Sequence, residues 1–190
     1  WRRDSYDVTC PFIRSVQGPV DYTPGAYRNA TREGFRIDYR NPMSQGTRAH
    51  QVAAYVVFDA PLVMLCDSPT RYMADEACTR FIASLPVVFD TTRVLAGELG
   101  EYIVTARKRQ DCWYVGGLTG WTPRTLDVDL SLLDPGREYT ATLLADDGRS
   151  AAEPARYVLS TQRVTSATRL QIPVAPGGGF ALKIEPADNK

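Results

Sequence analysis

Histidine occurs once in the 190 residues, and the 22 Lys and Arg are matched by 22 Asp and Glu. With His50 as the single imidazole, the clustered His/Cys donor set of a zinc site is not expected. Zero formal net charge leaves no field to gather a polyanion or an acidic lipid surface, so nucleic acid is not an expected partner. Lysine appears only at 108, 183 and 190, a skew toward Arg that carries no functional reading. No apolar run reaches the roughly 20 residues of a membrane span. The longest, 52–66, is broken by Asp59 and Pro61. No leader-like apolar stretch follows Trp1-Arg2-Arg3-Asp4, and a chain opening on Trp reads as an excerpt or a processed piece. Four cysteines are too few and too widely spaced for a disulfide-stapled miniprotein. Cys66 and Cys78 are a candidate local bridge, because Ser68-Pro69 between them lets the chain double back between two helical segments. Cys10 and Cys112 are expected to stay free.

What is present is an ordinary globular composition, 44% hydrophobic and 23% charged, which excludes disorder and fibrous repeats. The texture changes partway along. Over 47–57 the apolar residues Ala49, Val52, Ala53, Val56 and Val57 recur at three- and four-residue intervals, with Arg48, Gln51 and Tyr55 on other faces, which predicts an amphipathic helix. Pro61 ends it, and 62–66 reads as a second buried segment stopped by Asp67-Ser68-Pro69. Further helices are expected at 8–16 and 75–83, a short strand at 18–21 and a long loop over 23–46, of a length that is usually functional. From about Val94 the period becomes two. Strands are expected around 102–107, 113–115, 126–130, 138–145, 156–161, 169–174 and 179–184, separated by Gly, Pro and Asp turn clusters. The expected fold class is therefore α/β plus all-β. Residues 1–92 read as the last part of a (β/α)8 barrel and residues 93–190 as an antiparallel β-sandwich domain.

Specific motifs sharpen this. Gly18-Pro19-Val20-Asp21-Tyr22-Thr23-Pro24-Gly25-Ala26-Tyr27-Arg28-Asn29 and Gln45-Gly46-Thr47-Arg48-Ala49-His50-Gln51 resemble the end of the catalytic barrel of glycoside hydrolase family 97. The likeness continues through Ala60-Pro61-Leu62-Val63-Met64-Leu65-Cys66-Asp67-Ser68-Pro69, Gly100-Glu101-Tyr102-Ile103-Val104-Thr105-Ala106-Arg107, Trp113-Tyr114-Val115-Gly116 and Ala175-Pro176-Gly177-Gly178-Gly179-Phe180-Ala181. It covers nearly the whole chain, in order. The resemblance implies an exo-acting α-glycosidase that removes terminal α-linked glucose or galactose from oligosaccharides. It further implies calcium in the intact enzyme, and a periplasmic or secreted location. The family's catalytic and calcium-binding carboxylates lie upstream of these motifs, so no catalytic or metal residue is assigned here and the fragment alone is expected to be inactive. Its expected partners are the oligosaccharide and the remainder of the parent chain.

Glycoside hydrolysis needs two carboxyl groups flanking the bond. Asp21, where a barrel strand would open into its loop, is the best local acid, or else a residue capping that loop. Tyr22, Arg28 and Asn29 are the other substrate-binding candidates. Each lines a sugar pocket or merely shapes the loop, and Arg28 can instead orient an upstream carboxylate. His50 reads as a helix-packing residue, Asp67 as a turn or helix stop, and 176–179 as a glycine turn rather than a phosphate loop. Trp113 shares the core face with Val115, whereas Trp121 sits on a turn where an exposed ring can stack on sugar. A non-catalytic carbohydrate-binding or structural module is thus the alternative function.

Overall fold

The computed structural model describes residues 6–187. Among the described residues lie a short helix α1 (Cys10–Ile13) and a 3-10 turn (Ser15–Gln17), after which the chain runs irregularly past the two-residue strands β1 (Asn29–Ala30) and β2 (Ser44–Gln45), which pair in parallel. Helices α2 (Arg48–Val57), α3 (Pro69–Met73) and α4 (Glu76–Ala83) follow. Eight strands then form the second half: β3 (Thr91–Glu98), β4 (Tyr102–Arg109), β5 (Cys112–Thr119), β6 (Arg124–Asp129), β7 (Tyr139–Ala145), β8 (Val158–Val164), β9 (Arg169–Val174) and β10 (Gly179–Pro186). They make a six-stranded sheet in the order β3-β4-β5-β10-β7-β8 and a two-stranded ribbon β6-β9, with every pairing antiparallel. The sandwich expectation holds.

Alternation along the strands divides the six-stranded sheet into two apolar faces. Val104, Ala106, Trp113, Val115, Phe180, Leu182 and Ile184 point inward and meet Leu126, Val128, Ile172 and Val174 of the ribbon. The opposite face is covered by α2. There Ala53, Ala54 and Val57 pack with Ile103 and Leu118, while Ala49 and Val52 pack with Leu144 and Ala181. Nine of the ten α2 residues are buried. The helix fits because the sheet is thin beneath it: a Cβ on Gly116 would lie 2.9 Å from both Ala53 O and Val56 Cβ. An arginine fastens its C-terminal end. Arg107, 2% exposed, donates to Phe58 O at the C-terminal end and pairs with Asp59 at 2.6 Å, where a cation suits the helix dipole.

Several expectations are corrected. Residues 18–21 form no strand; Val20 N donates to Asp59 O, just beyond α2, with no adjacent strand to continue a ladder. The described residues therefore show no barrel strand there. The 62–66 tract is not buried: Leu62 is 77% and Met64 61% exposed, because α2 already occupies the sheet face. Cys66 and Cys78 are both free. Pro69 begins α3 instead of a reversal, Cys66 stays at the surface, and Cys78 lies buried one turn into α4. The structure adds an eighth strand, β3 from Thr91, to the seven expected; at the sheet edge only its Leu95 and Ala96 reach the core, so it lacks the alternation of the others.

Candidate functional site

Arg48 stands in the first turn of α2, where a positive charge opposes the helix dipole. The structure answers with a fan of acceptors. Nε donates to Asn29 Oδ1 at 2.6 Å, one terminal nitrogen to Asp75 Oδ2 at 2.7 Å, and the other to the Tyr27 carbonyl at 2.7 Å. The guanidinium also lies 3.5 Å over the Tyr27 ring. Asp75 is shared: it caps α4 by accepting from Cys78 N, and it accepts from the hydroxyls of Tyr27 at 3.3 Å and Tyr157 at 2.6 Å. Beside Arg48, the Gln51 amide donates to the carbonyls of Gly25 and Ala26 and accepts from Asn29 Nδ2. Asp67 receives the Tyr27 N–H at 2.9 Å. Arg48, Gln51, Asp67 and Asp75 thus each hold a group of the loop 24–30.

A cleft of about 410 Å³ opens on this network, lined by Tyr27, Arg28, Asn29, Arg48, Arg71 and Asp75, with Ala74 and Ala155. Burial pushes the Tyr27 hydroxyl well above its ordinary range, and burial also raises the Cys78 thiol to about 11. These groups stay neutral near pH 7 and act as packing and hydrogen-bonding groups rather than acids or nucleophiles. Asp75, the carboxylate lining the cleft, is occupied by Arg48 and two phenols. The arrangement is a hydrogen-bonded wall that presents polar side chains to the cleft.

The sequence candidates separate. Arg28 and Asn29 both reach the cleft, Arg28 also donating to Asn41 Oδ1 at 3.4 Å. Asp21 is exposed, and Tyr22 turns inward, stacking on Phe58 with ring centroids 3.6 Å apart and donating to Asp7 Oδ1 at 3.3 Å. His50 completes that second cluster as a packing residue: Nδ1 donates to Gly178 O at 3.0 Å and Nε2 faces Asp7 Oδ2 at 3.3 Å. Nearby, Asp146 is 6% exposed and its Oδ2 accepts the N–H groups of Ala175 and Gly179, closing the glycine turn. Asp67 is the turn residue expected, receiving Ser68 N. Trp113 is in the core, and Trp121 packs its ring so closely on Gly177 that a Cβ there would come within 2.7 Å.

Sequence reasoning missed Arg48, Gln51, Asp75, Asp146 and Tyr157 as organising residues. The one signal available was a charged residue directly after the Thr47 N-cap, in a turn where cations are disfavoured without a partner. Calcium requires converging oxygen donors. Among the described residues no three His, Cys, Asp or Glu side chains gather to hold an ion, so these residues do not fit that site.

Residues 88–185 match the family model described as the C-terminal domain of glycosyl-hydrolase 97, oligomerisation. The chain is 49% identical over 180 residues to a retaining alpha-galactosidase of Bacteroides thetaiotaomicron, covering 95% of this chain and 27% of that protein. It is 31% identical over 177 residues to a probable retaining alpha-galactosidase of Streptomyces bingchenggensis, covering 92% of this chain and 25% of that one. A solved family 97 enzyme from Pseudoalteromonas sp. strain K8, in complex with acarbose, superposes with a TM-score of 0.87 at 28% identity, over 97% of this chain and 29% of that one. The chain thus spans about a quarter of the length of the curated relatives it matches.

Proposed function

The chain belongs to glycoside hydrolase family 97, and from that membership we propose that it is the C-terminal portion of an exo-acting α-galactosidase that releases terminal α-linked galactose with retention of configuration. The identity of 49% to a retaining α-galactosidase carries this reading and favours galactose over glucose. The catalytic carboxylates and any calcium ligands belong to the upstream part of the parent. The β-sandwich serves assembly, and the segment before it contributes to the catalytic body. A periplasmic or secreted location is part of the proposal and follows from the family resemblance alone.

Within that parent, the loop 24–30 supplies a wall of the substrate pocket, with Arg28 and Asn29 presenting hydrogen-bond donors toward a sugar or a neighbouring carboxylate. Arg48 and Gln51 act as positioning residues behind them. Asp21 remains a candidate at the mouth of the same loop, while Tyr22 acts through the packing of its ring. The test uses the full-length parent with nitrophenyl α-galactoside and α-glucoside, following the product anomer by NMR. Galactose released first as the α anomer is the expected result. Preferential glucose release, or the β anomer first, overturns the specificity or the stereochemistry respectively. Nitrophenol released by the present 190-residue chain alone would place the catalytic groups within it and overturn the division of labour.

A further inference from the structure

The six-stranded sheet ends in two free edges, and they differ. Edge strands expose unpaired N–H and C=O groups, which proteins guard with bulges, charges or proline. Strand β3 is guarded: its register shifts between Val94 and Ala96, and Arg93 and Glu98 stand along it. Strand β8 has neither a bulge nor a proline, and Arg163 is its one charge. It pairs with β7 without a break from Val158 to Val164. Its first six residues are exposed on both faces, including Val158 at 42% and Leu159 at 44%. Arg163 makes no ion pair among the described residues.

We propose that β8 is the surface through which two copies of this chain associate, edge to edge and antiparallel about a two-fold axis at Thr161, joining their sheets into one. The inference rests on the family reading, in which the region holding β8 is described by its oligomerisation role. A second copy is the favoured occupant because the strand is self-complementary. Pairing about Thr161 sets Ser160 against Gln162, Val158 against Val164 and Leu159 against Arg163, whose aliphatic stem covers the leucine. The two-fold makes the last contact twice.

Sedimentation velocity on this chain and on the full-length parent tests it, with Leu159→Lys, Leu159→Glu and Val94→Lys compared. Like charges directly opposite on paired strands repel and opposite charges attract. Leu159→Lys, facing Arg163 of the second copy twice, should weaken the dimer about tenfold or more. Leu159→Glu should hold or tighten it, and Val94→Lys on the guarded edge should leave it unchanged. Equal association by all three variants, equal weakening by both Leu159 substitutions, dissociation by Val94→Lys, or a monomer at every concentration in both proteins overturns the assignment. α-Galactoside hydrolysis by the same parent variants is read separately, so a failure of the interface is distinguishable from a failure of the proposed activity.

Discussion

The Arg48 guanidinium shows what one residue contributes when its charge is buried. A buried ion pair is not itself strong evidence of stability, yet removing one partner leaves the other unpaired at a cost of about 3–5 kcal/mol. Asp75 keeps 27% of its side chain exposed, so the lower end of that range applies. Arg48→Lys should still lose about 2 kcal/mol, since one ammonium cannot serve Asn29, Asp75 and the Tyr27 carbonyl in a single plane. Chemical denaturation gives the stability change, and in the parent enzyme KM against kcat separates a displaced loop from a general loss of fold. Asp146 makes a second case, read through pH. Burial holds its carboxyl above the ordinary value of 3.8, against the pull of its hydrogen bonds. Because the folded carboxyl binds its proton at higher pH than the unfolded one, its stabilising contribution is complete below that ordinary value and is lost as the pH rises through the folded value. Asp146→Asn cannot titrate. Its stability relative to the parental chain should therefore improve as melts are taken upward from the ordinary value of 3.8 and level off once the pH passes the folded value; a constant difference would show that the carboxyl is not perturbed.

At the scale of elements, α2 was legible and its role was not. Its three- and four-residue periodicity predicted a helix over 47–57, and Thr47 indeed caps it by accepting from His50 N. The same pattern placed Arg48 and Gln51 on other faces than the apolar one, whereas both are buried, at 6% and 4% exposure. Periodicity describes one layer of contact, and α2 is enclosed by the sheet on one side and the loop 24–30 on the other. The partners that enclose it are distant in sequence: Tyr157 lies 82 residues from Asp75, and no local rule joins them. The strands β4, β5, β6, β7, β9 and β10 were readable because each has one face in a core, and β3 was not read because only Leu95 and Ala96 of it reach the core. The close seat of α2 yields a test. Gly116→Ala inserts a methyl group within 2.9 Å of Ala53 O and Val56 Cβ, both fixed in a buried helix, so overpacking should cost about 1–3 kcal/mol. Gly136→Ala, where the added Cβ meets nothing within 4 Å but φ is +76°, separates packing from backbone strain; its smaller loss should appear as a lower shift in the denaturation midpoint.

For the whole molecule, the distribution of exposed apolar surface differs between the two halves. Ile37, Tyr39, Leu62, Met64 and Met73 are each more than 60% exposed in the first half. In the sandwich the exposed large apolar residues are Val94, Leu99, Val158 and Leu159. In the proposed parent the barrel is the body beside the first half, and the exposed apolar residues of that half are the surface it would cover. The sheet and α2 share their cores, so they should open together, while the irregular segments 31–43 and 60–66 are tied down by few backbone hydrogen bonds. Local opening free energy falls where buried contacts are few. Hydrogen exchange on this chain should therefore show amides of 60–66 exchanging orders of magnitude faster than those of 52–57 in α2, although only Phe58 and Asp59 separate them. In the full-length parent the 60–66 amides should become protected and those of α2 should change little. Equal, rapid exchange of 60–66 in both proteins would mean that the barrel does not cover this face, and would detach the first half from the catalytic body.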